Sequence, residues 1–408
     1  MSYSEPRAVA SLAALYIFRM LGLFMVLPVL ALSGADYQGS NTFLLGVALG
    51  IYGLTQALLQ IPFGMLSDRF GRKPLIFIGL LLFAVGSVIA ASAESVTGLI
   101  IGRACQGAGA IAGVVMAMVG DVTSPQNRTK AMAAIGASIG LAFSLSLILG
   151  PWLAGVTLFD ISGVRLLFWL TTLLSVVGVA VLLWLVPTPA VTDTPQLLSL
   201  SGLLSVLQQR QYACLYFGVF ALHYALMAFF VVVPLLLEQV GILKEQHSWV
   251  YLGAMLVSFV VMIPLMLIGE RKQRVKELLC IALVAIVIAL LMLAYLPVSA
   301  SYTIACLLLF FTGFNYLEAN LPSLLTKLLP QQNRGAGSGV FATCQFLGAA
   351  LGGIAGGWFY TRWGIEAAFG SSILALLLWL VILPTLVMPV STRGAEAEIA
   401  GFGEHSKS

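Results

Sequence analysis

The sequence predicts an all-α membrane protein of twelve transmembrane helices in two six-helix bundles, with both termini cytoplasmic. Three observations carry this prediction. Of 408 residues, 60% are hydrophobic and only 9% charged, and the apolar residues run in long blocks where a soluble domain would show stripes. Lys and Arg collect on alternate connections between those blocks. Short sequences also recur at one constant offset, which marks an internal duplication.

A span needs about 20 mostly apolar residues to cross a hydrocarbon layer of roughly 30 Å. The blocks place spans near 9–33, 43–66, 75–92, 97–120, 131–155, 165–187, 212–237, 248–269, 277–297, 301–328, 335–360 and 366–388. Backbone groups in lipid must be satisfied within the segment, so each is a helix; the short alternating segments of a membrane barrel are absent. The first block follows a single basic residue, Arg7, and contains Arg19 and Pro28. It exceeds the about 7–15 apolar residues of a cleavable leader, so it reads as a retained span.

With the N-terminus inside, fifteen of the 20 Lys and Arg fall on the cytoplasmic face. Three (Arg165, Lys244, Arg362) fall on the other, and Arg19 and Arg103 lie within spans. The longest polar interruption, Thr188 to Gln211, holds Pro189, Pro195 and several Ser and Thr. It reads as a cytoplasmic linker, 188–211, between bundles 1–187 and 212–390, with a polar tail at 391–408.

The duplication supports that division. "MVLPVL" around Pro28 resembles "VVVPLL" around Pro234, "PQNR" ending at Arg128 resembles "QQNR" ending at Arg334, and "GPW" at Gly150 resembles "GGW" at Gly356. All three pairs are 206 residues apart. A parallel repeat of this kind implies two halves related by an axis along the membrane normal, with a cavity between them.

"GMLSDRFGRKP", Gly64 to Pro74, then falls in the short cytoplasmic loop between spans 2 and 3. Anchoring on the positive-inside side accounts for Arg69, Arg72 and Lys73 but not for Asp68 or the glycines. Gly64 lets helices approach closely and Gly71 permits a tight turn. Asp68, near a helix end, is placed for a charge-assisted contact to Arg72 or to a neighbouring helix N-terminus.

The run resembles motif A of the major facilitator superfamily, G-x-L-x-D-R-x-G-R-[RK], at Gly64, Leu66, Asp68, Arg69, Gly71, Arg72 and Lys73. The resemblance implies a conformational latch that stabilises the outward-facing state, with Asp121 a structural partner of the motif's arginines. The corresponding 8–9 loop, "GERKQRVKE" from Gly269, keeps basic residues but loses the pattern, so latch duty is expected mainly in the first half. "LGLFMVLPVL" is similar to the family's first-span antiporter motif, with Gly22 and Pro28 in place. "GRACQGAGA" is similar to motif B at Arg103, Gln106 and Gly107. "GPWLAG" is similar to the end of antiporter motif C at Gly150, Pro151 and Gly155, with Ala154 and Ser146 in place of glycines. Together these point to the drug:proton antiporter-like branch, over nearly the whole chain. That branch can carry a small soluble domain after span 12; the tail from Ser391 is short, so no role for such a domain is expected here.

A charge near the bilayer centre costs at least about 2.5–3.5 kcal/mol, so it faces a cavity or a partner. Arg19 lies near mid-depth, too far in to snorkel, and is expected to hold an anionic substrate group or bias a nearby proton site. Arg103 enters span 4 from the outer side, shallow enough for snorkelling; the motif B likeness implies a part in proton coupling, by repelling protons or pairing with a carboxylate. Glu318, in "NYLEANLPSL" of span 10, is a carboxylate placed inside a span and suited to bind and release a proton. A fixed salt bridge or structural hydrogen bond is the competing reading. His223 stands at mid-depth in span 7, either as a hydrogen-bonded packing residue or as a proton carrier. Gln56, Gln60, Asn315, Asn320 and Gln345 are expected to line the cavity beside Tyr16, Phe24, Tyr52, Tyr224 and Phe346, a mixture suited to amphipathic organic compounds.

The five cysteines lie in apolar runs without metal-ligand spacing, so neither a metal nor another cofactor is expected. HExxH, GxSxG and the Walker A pattern are absent, which argues against an enzyme and leaves an ion gradient to drive any pumping. The expected function is proton-coupled efflux of a small organic compound by a monomer in the inner membrane of a bacterium, with lipid and protons as partners and no nucleic acid. Uptake or facilitated diffusion of a small metabolite is the alternative, and a membrane sensor a weaker one.

Overall fold

A computed structural model describes residues 4–124, 126–187, 209–297, 299–330 and 334–387. Most of the expected linker and all of the tail lie outside the described residues. Among the described residues, eleven helices are long and apolar enough to cross a membrane.

Two spans are broken where continuous helices were expected. Span 1 runs Glu5–Phe24 and resumes as Leu27–Leu30. Pro28 has no N–H to offer the Phe24 carbonyl, so the helix cannot pass straight through. Span 4 divides into Val96–Ala108 and Ala112–Asp121, because Gly109 leaves helical geometry at ψ 58°. The remaining first-half spans are Thr42–Phe70, Arg72–Ser92, Arg128–Ala154 and Gly163–Trp184. Gly71, at φ 93°, lets span 3 start one residue after span 2 ends.

The second half comprises Arg210–Gln239, His247–Arg271, Val275–Tyr295 and Ala300–Leu328, followed by Arg334–Ile382. That last run replaces the two separate spans expected at 335–360 and 366–388. Its apolar stretch of 50 residues would reach about 75 Å if straight, over twice the hydrocarbon thickness. Gly364, at φ 80° and ψ −165°, breaks it. A β-carbon on Gly348 would strike the Phe220 carbonyl, and one on Gly218 would strike the Trp379 ring. Positions 348 and 379 thus meet span 7 at the same height, so the chain doubles back at Gly364.

Helices of 5–184 pack mainly on one another, as do those of 210–382; the two groups meet along span 2 and the first limb of the last run, and along spans 5 and 8. The first seam is backbone against backbone. A β-carbon on Gly46 would lie 2.5 Å from the Gly353 carbonyl oxygen and one on Gly53 2.6 Å from that of Phe346, while Gly50 abuts the Ala350 carbonyl. The second seam is packed at one end only. Among the described side chains of span 5 the buried positions cluster at 142–151, with only 131 and 135 buried before them; in span 8 they cluster at 247–258, with only 269 after them. The groups are therefore closed at the end carrying Thr42, Ala154 and His247, and parted at the end carrying Arg128 and Arg271.

Candidate functional site

In the first half the break in span 4 creates a site for Arg19. The freed Gly109 carbonyl accepts from Arg19 Nη2 at 2.8 Å, together with Gln56 Oε1 at 2.9 Å and the Tyr52 hydroxyl at 3.2 Å. Gln56 donates onward to Gln60 at 3.1 Å. Arg19 is 1% exposed and its guanidinium lies over the Phe83 ring at 5.7 Å. Tyr16, Tyr52, Gln56 and Gln60 are likewise buried. Among the described residues Arg103 pairs with no carboxylate, contrary to one of its two expected roles. It donates to the Ala48 carbonyl at 3.1 Å and to Gln106 Oε1 at 2.8 Å, and Gln106 in turn donates to Ser87 at 2.7 Å. Gly86 and Gly102 let spans 3 and 4 cross closely enough for that contact, a β-carbon on Gly86 falling 2.6 Å from the Gly102 carbonyl oxygen.

In the second half His223, Glu318 and Gln345 converge from three helices. His223 Nδ1 lies 3.0 Å from the Val219 carbonyl and, as the protonated nitrogen, donates to it. Nε2 then accepts from Gln345 Nε2 at 2.8 Å, and the same amide donates to Glu318 Oε1 at 3.3 Å. His223 Nε2 and Glu318 Oε2 are 3.6 Å apart. The Glu318 side chain is 32% exposed, whereas that of His223 is 9% exposed. A proton on Nε2 would leave no lone pair for the Gln345 amide, so the amide must turn its oxygen inward.

An aromatic file joins this triad to the first half: Phe24 to Phe143 at 5.0 Å between centroids, Phe143 to Phe314 at 5.7 Å, and Phe314 to His223 at 5.9 Å. Phe143 and Phe314 had no distinguishing mark in the sequence; Phe314 stands one turn before Glu318, which was the available signal. Phe346, beside Gln345, lies 6.5 Å from the Tyr52 ring. Three expected cavity residues are engaged within the second half instead. Asn315 donates to Ser258 at 2.7 Å, Asn320 to the Tyr316 carbonyl at 2.8 Å, and the Tyr224 hydroxyl to Ser371 at 3.0 Å.

At the parted end, Arg72 pairs with Asp68, donates to Asp121 at 3.1 Å and also contacts Ser67 at 2.6 Å. Ser67 donates to the Gly64 carbonyl at 2.7 Å, and Arg69 is exposed with its guanidinium over the Phe70 ring. Lys73 donates to the Val186 carbonyl at 2.9 Å, at the end of span 6. Lys276 repeats that contact in the second half, donating to the Pro384 and Leu386 carbonyls at 2.7 and 2.9 Å. Lys276 is 203 residues from Lys73, out of the repeat's register, which hid the correspondence. Of the packing positions, Gly150 seats against the Met25 carbonyl where span 1 breaks beside Pro28, and Pro151 is buried. Gly155 is exposed and ends span 5 without packing on another helix.

A bundle of apolar helices closed at one end, parted at the other and carrying polar clusters in its interior is a membrane carrier. The family model of the Major Facilitator Superfamily matches residues 12–213 and 215–406, and the chain belongs to that family: it is a multi-pass membrane transporter, not an enzyme. It is 41% identical over 404 residues to the inner membrane transport protein YajR of Escherichia coli (strain K12), covering 98% of this chain and 87% of that one. It is 28% identical over 348 residues to the multidrug resistance protein MdtH of Aeromonas salmonicida (strain A449), covering 83% and 82%. The crystal structure of a mutant of the nucleoside transporter NupG has the same fold, with a TM-score of 0.69 at 15% identity over 92% of this chain and 98% of that one.

Proposed function

We propose that the protein exports small amphipathic organic compounds from a bacterial cell in exchange for protons, by alternating access. In this reading the two limbs of the last helical run are spans 11 and 12, giving twelve spans in bundles 1–187 and 212–390 joined by a cytoplasmic linker. Both termini are cytoplasmic in the inner membrane, and one chain suffices. The distribution of Lys and Arg supports that orientation, and the parted end then faces the cytoplasm. The names of the relatives, an inner membrane transport protein and a multidrug resistance protein, support the location and the efflux direction.

The observation that carries the proposal is the His223–Glu318–Gln345 triad. Its carboxylate is reachable while its imidazole is shielded. A proton taken up by Glu318 removes a buried-edge charge, and a proton on His223 turns the Gln345 amide. Gln345 sits on the helix that seals the opposite end against span 2, so the triad's protonation state is read by the seam that must open. Asp68, Arg72 and Asp121 act as the cytoplasmic latch, Arg69 and Lys73 anchor that loop, and Arg103 keeps the first half positive so that protons travel through the second. Proteoliposomes with an imposed pH gradient test this: a transported dye is expected to accumulate only with the gradient in the wild type and to equilibrate regardless of it in Glu318→Gln. Gradient-driven accumulation by Glu318→Gln would remove the triad from the mechanism.

A further inference from the structure

The first half holds two buried guanidinium groups, Arg19 at 1% and Arg103 at 0% exposed, and neither forms an ion pair among the described residues. Arginine remains charged in proteins, and an unanswered charge within a membrane is costly. Neutral dipoles orient these groups without cancelling their charge. Three acceptors crowd onto one Arg19 nitrogen, Nη2, while Nε and Nη1 are sealed from solvent and meet no acceptor. Arg103 Nη2 is orphaned in the same way. Both groups flank Tyr52, whose hydroxyl accepts from Arg19 and whose ring lies 4.9 Å from the Arg103 guanidinium carbon.

We propose that the transported compound is an organic anion whose carboxylate, sulfonate or phosphate is held by the free nitrogens of Arg19 and Arg103 beside Tyr52. This rests on the transport function proposed above and names its substrate class. Arg19 Nε and Nη1 face different directions and Arg103 adds one further N–H, so each can give a separate charge-assisted hydrogen bond to an oxygen of an acidic group. The carboxylate of Glu318 in the opposite half repels the same group, so the acid end has one favourable side. Tyr52 touches both cations and, through Phe346, the other half.

The test is thermal unfolding of the full chain in lipid nanodiscs with probes on one ring system. The anions are 2-naphthoate, 2-naphthalenesulfonate and 2-naphthyl phosphate; 2-naphthamide is the neutral control, 2-naphthamidine the cationic one, and sodium chloride the inorganic one. At least one organic anion is expected to raise the midpoint by about 3 °C near tenfold saturation, with the amide, amidine and chloride inert. Arg19→Gln should lose that shift, and Arg19→Lys should need about tenfold more anion. A flat panel, stabilisation by the amidine, or an equal shift from chloride alone would each overturn the assignment on the wild-type protein, whatever the folding of the variants. These readouts involve no gradient. A flat panel leaves proton-driven transport standing, and loss of proton-driven transport leaves the anion shift standing.

Discussion

His223 and Glu318 face each other at 3.6 Å across spans 7 and 10, and the Gln345 amide touches both. Each member constrains the next, since an imidazole that accepts from the amide cannot also donate to the carboxylate through the same nitrogen. The arrangement predicts that His223→Gln uncouples differently from Glu318→Gln. The glutamine can still bond Gln345 but takes no proton, so substrate binding should survive while the dependence of transport on pH flattens. Transport rates measured in proteoliposomes from pH 5.5 to 8.5 check this; an unchanged pH profile would reduce His223 to a packing residue.

Arg72, which opens span 3, joins Asp68 at the end of span 2 to Asp121 at the end of span 4. Asp68→Asn removes one charge of this cluster and leaves the fold's apolar packing untouched. Exchange between the two states should slow, with normal expression and a transport rate reduced about tenfold, equivalent to roughly 1.4 kcal/mol. Normal transport would leave the loop as a topological anchor.

The seam between Gly50 and Ala350 admits no side chain. Gly50→Ala forces backbone apart only in the state closed at that end, at a cost of about 1–3 kcal/mol, so the equilibrium should move roughly five- to 150-fold toward the state open there. Modification of a cysteine placed at Tyr52 by an impermeant reagent added from outside should rise accordingly. No change in labelling would mean that the seam does not part.

Lys276 fixes the end of the last helix through two backbone carbonyls, as Lys73 fixes the end of span 6. Lys276→Met should lower stability by about 1–2 kcal/mol and speed hydrogen exchange at residues 383–386. Uniform exchange across the second half would contradict a local clamp.

Much of the architecture was legible because lipid allows little else. Long apolar blocks must be helices, and the positions of Lys and Arg follow the membrane's asymmetry. Pro28 and Gly109 were visible as residues, but whether a helix bends or breaks at them depends on what fills the gap; Gly150 receives the first break and Arg19 the second. The polar residues named from sequence carried no facing direction, because that is set by partners one helix away. Asn315 finds Ser258 and Tyr224 finds Ser371, and neither serine stands out in the chain. Glu318 and His223 could each be placed within a span, whereas their meeting through Gln345 needed the third helix.

The most direct measurement is the distance between spin labels at positions 134 on span 5 and 267 on span 8, both exposed at the parted end, in a background freed of Cys105, Cys214, Cys280, Cys306 and Cys344. Two populations are expected, one long and one short, whose ratio changes between pH 5.5 and 8.5 in the wild type and stays fixed in Glu318→Gln. A single distance at every pH, or the same pH response in the variant, would contradict a carrier whose two halves rock apart under the control of that carboxylate.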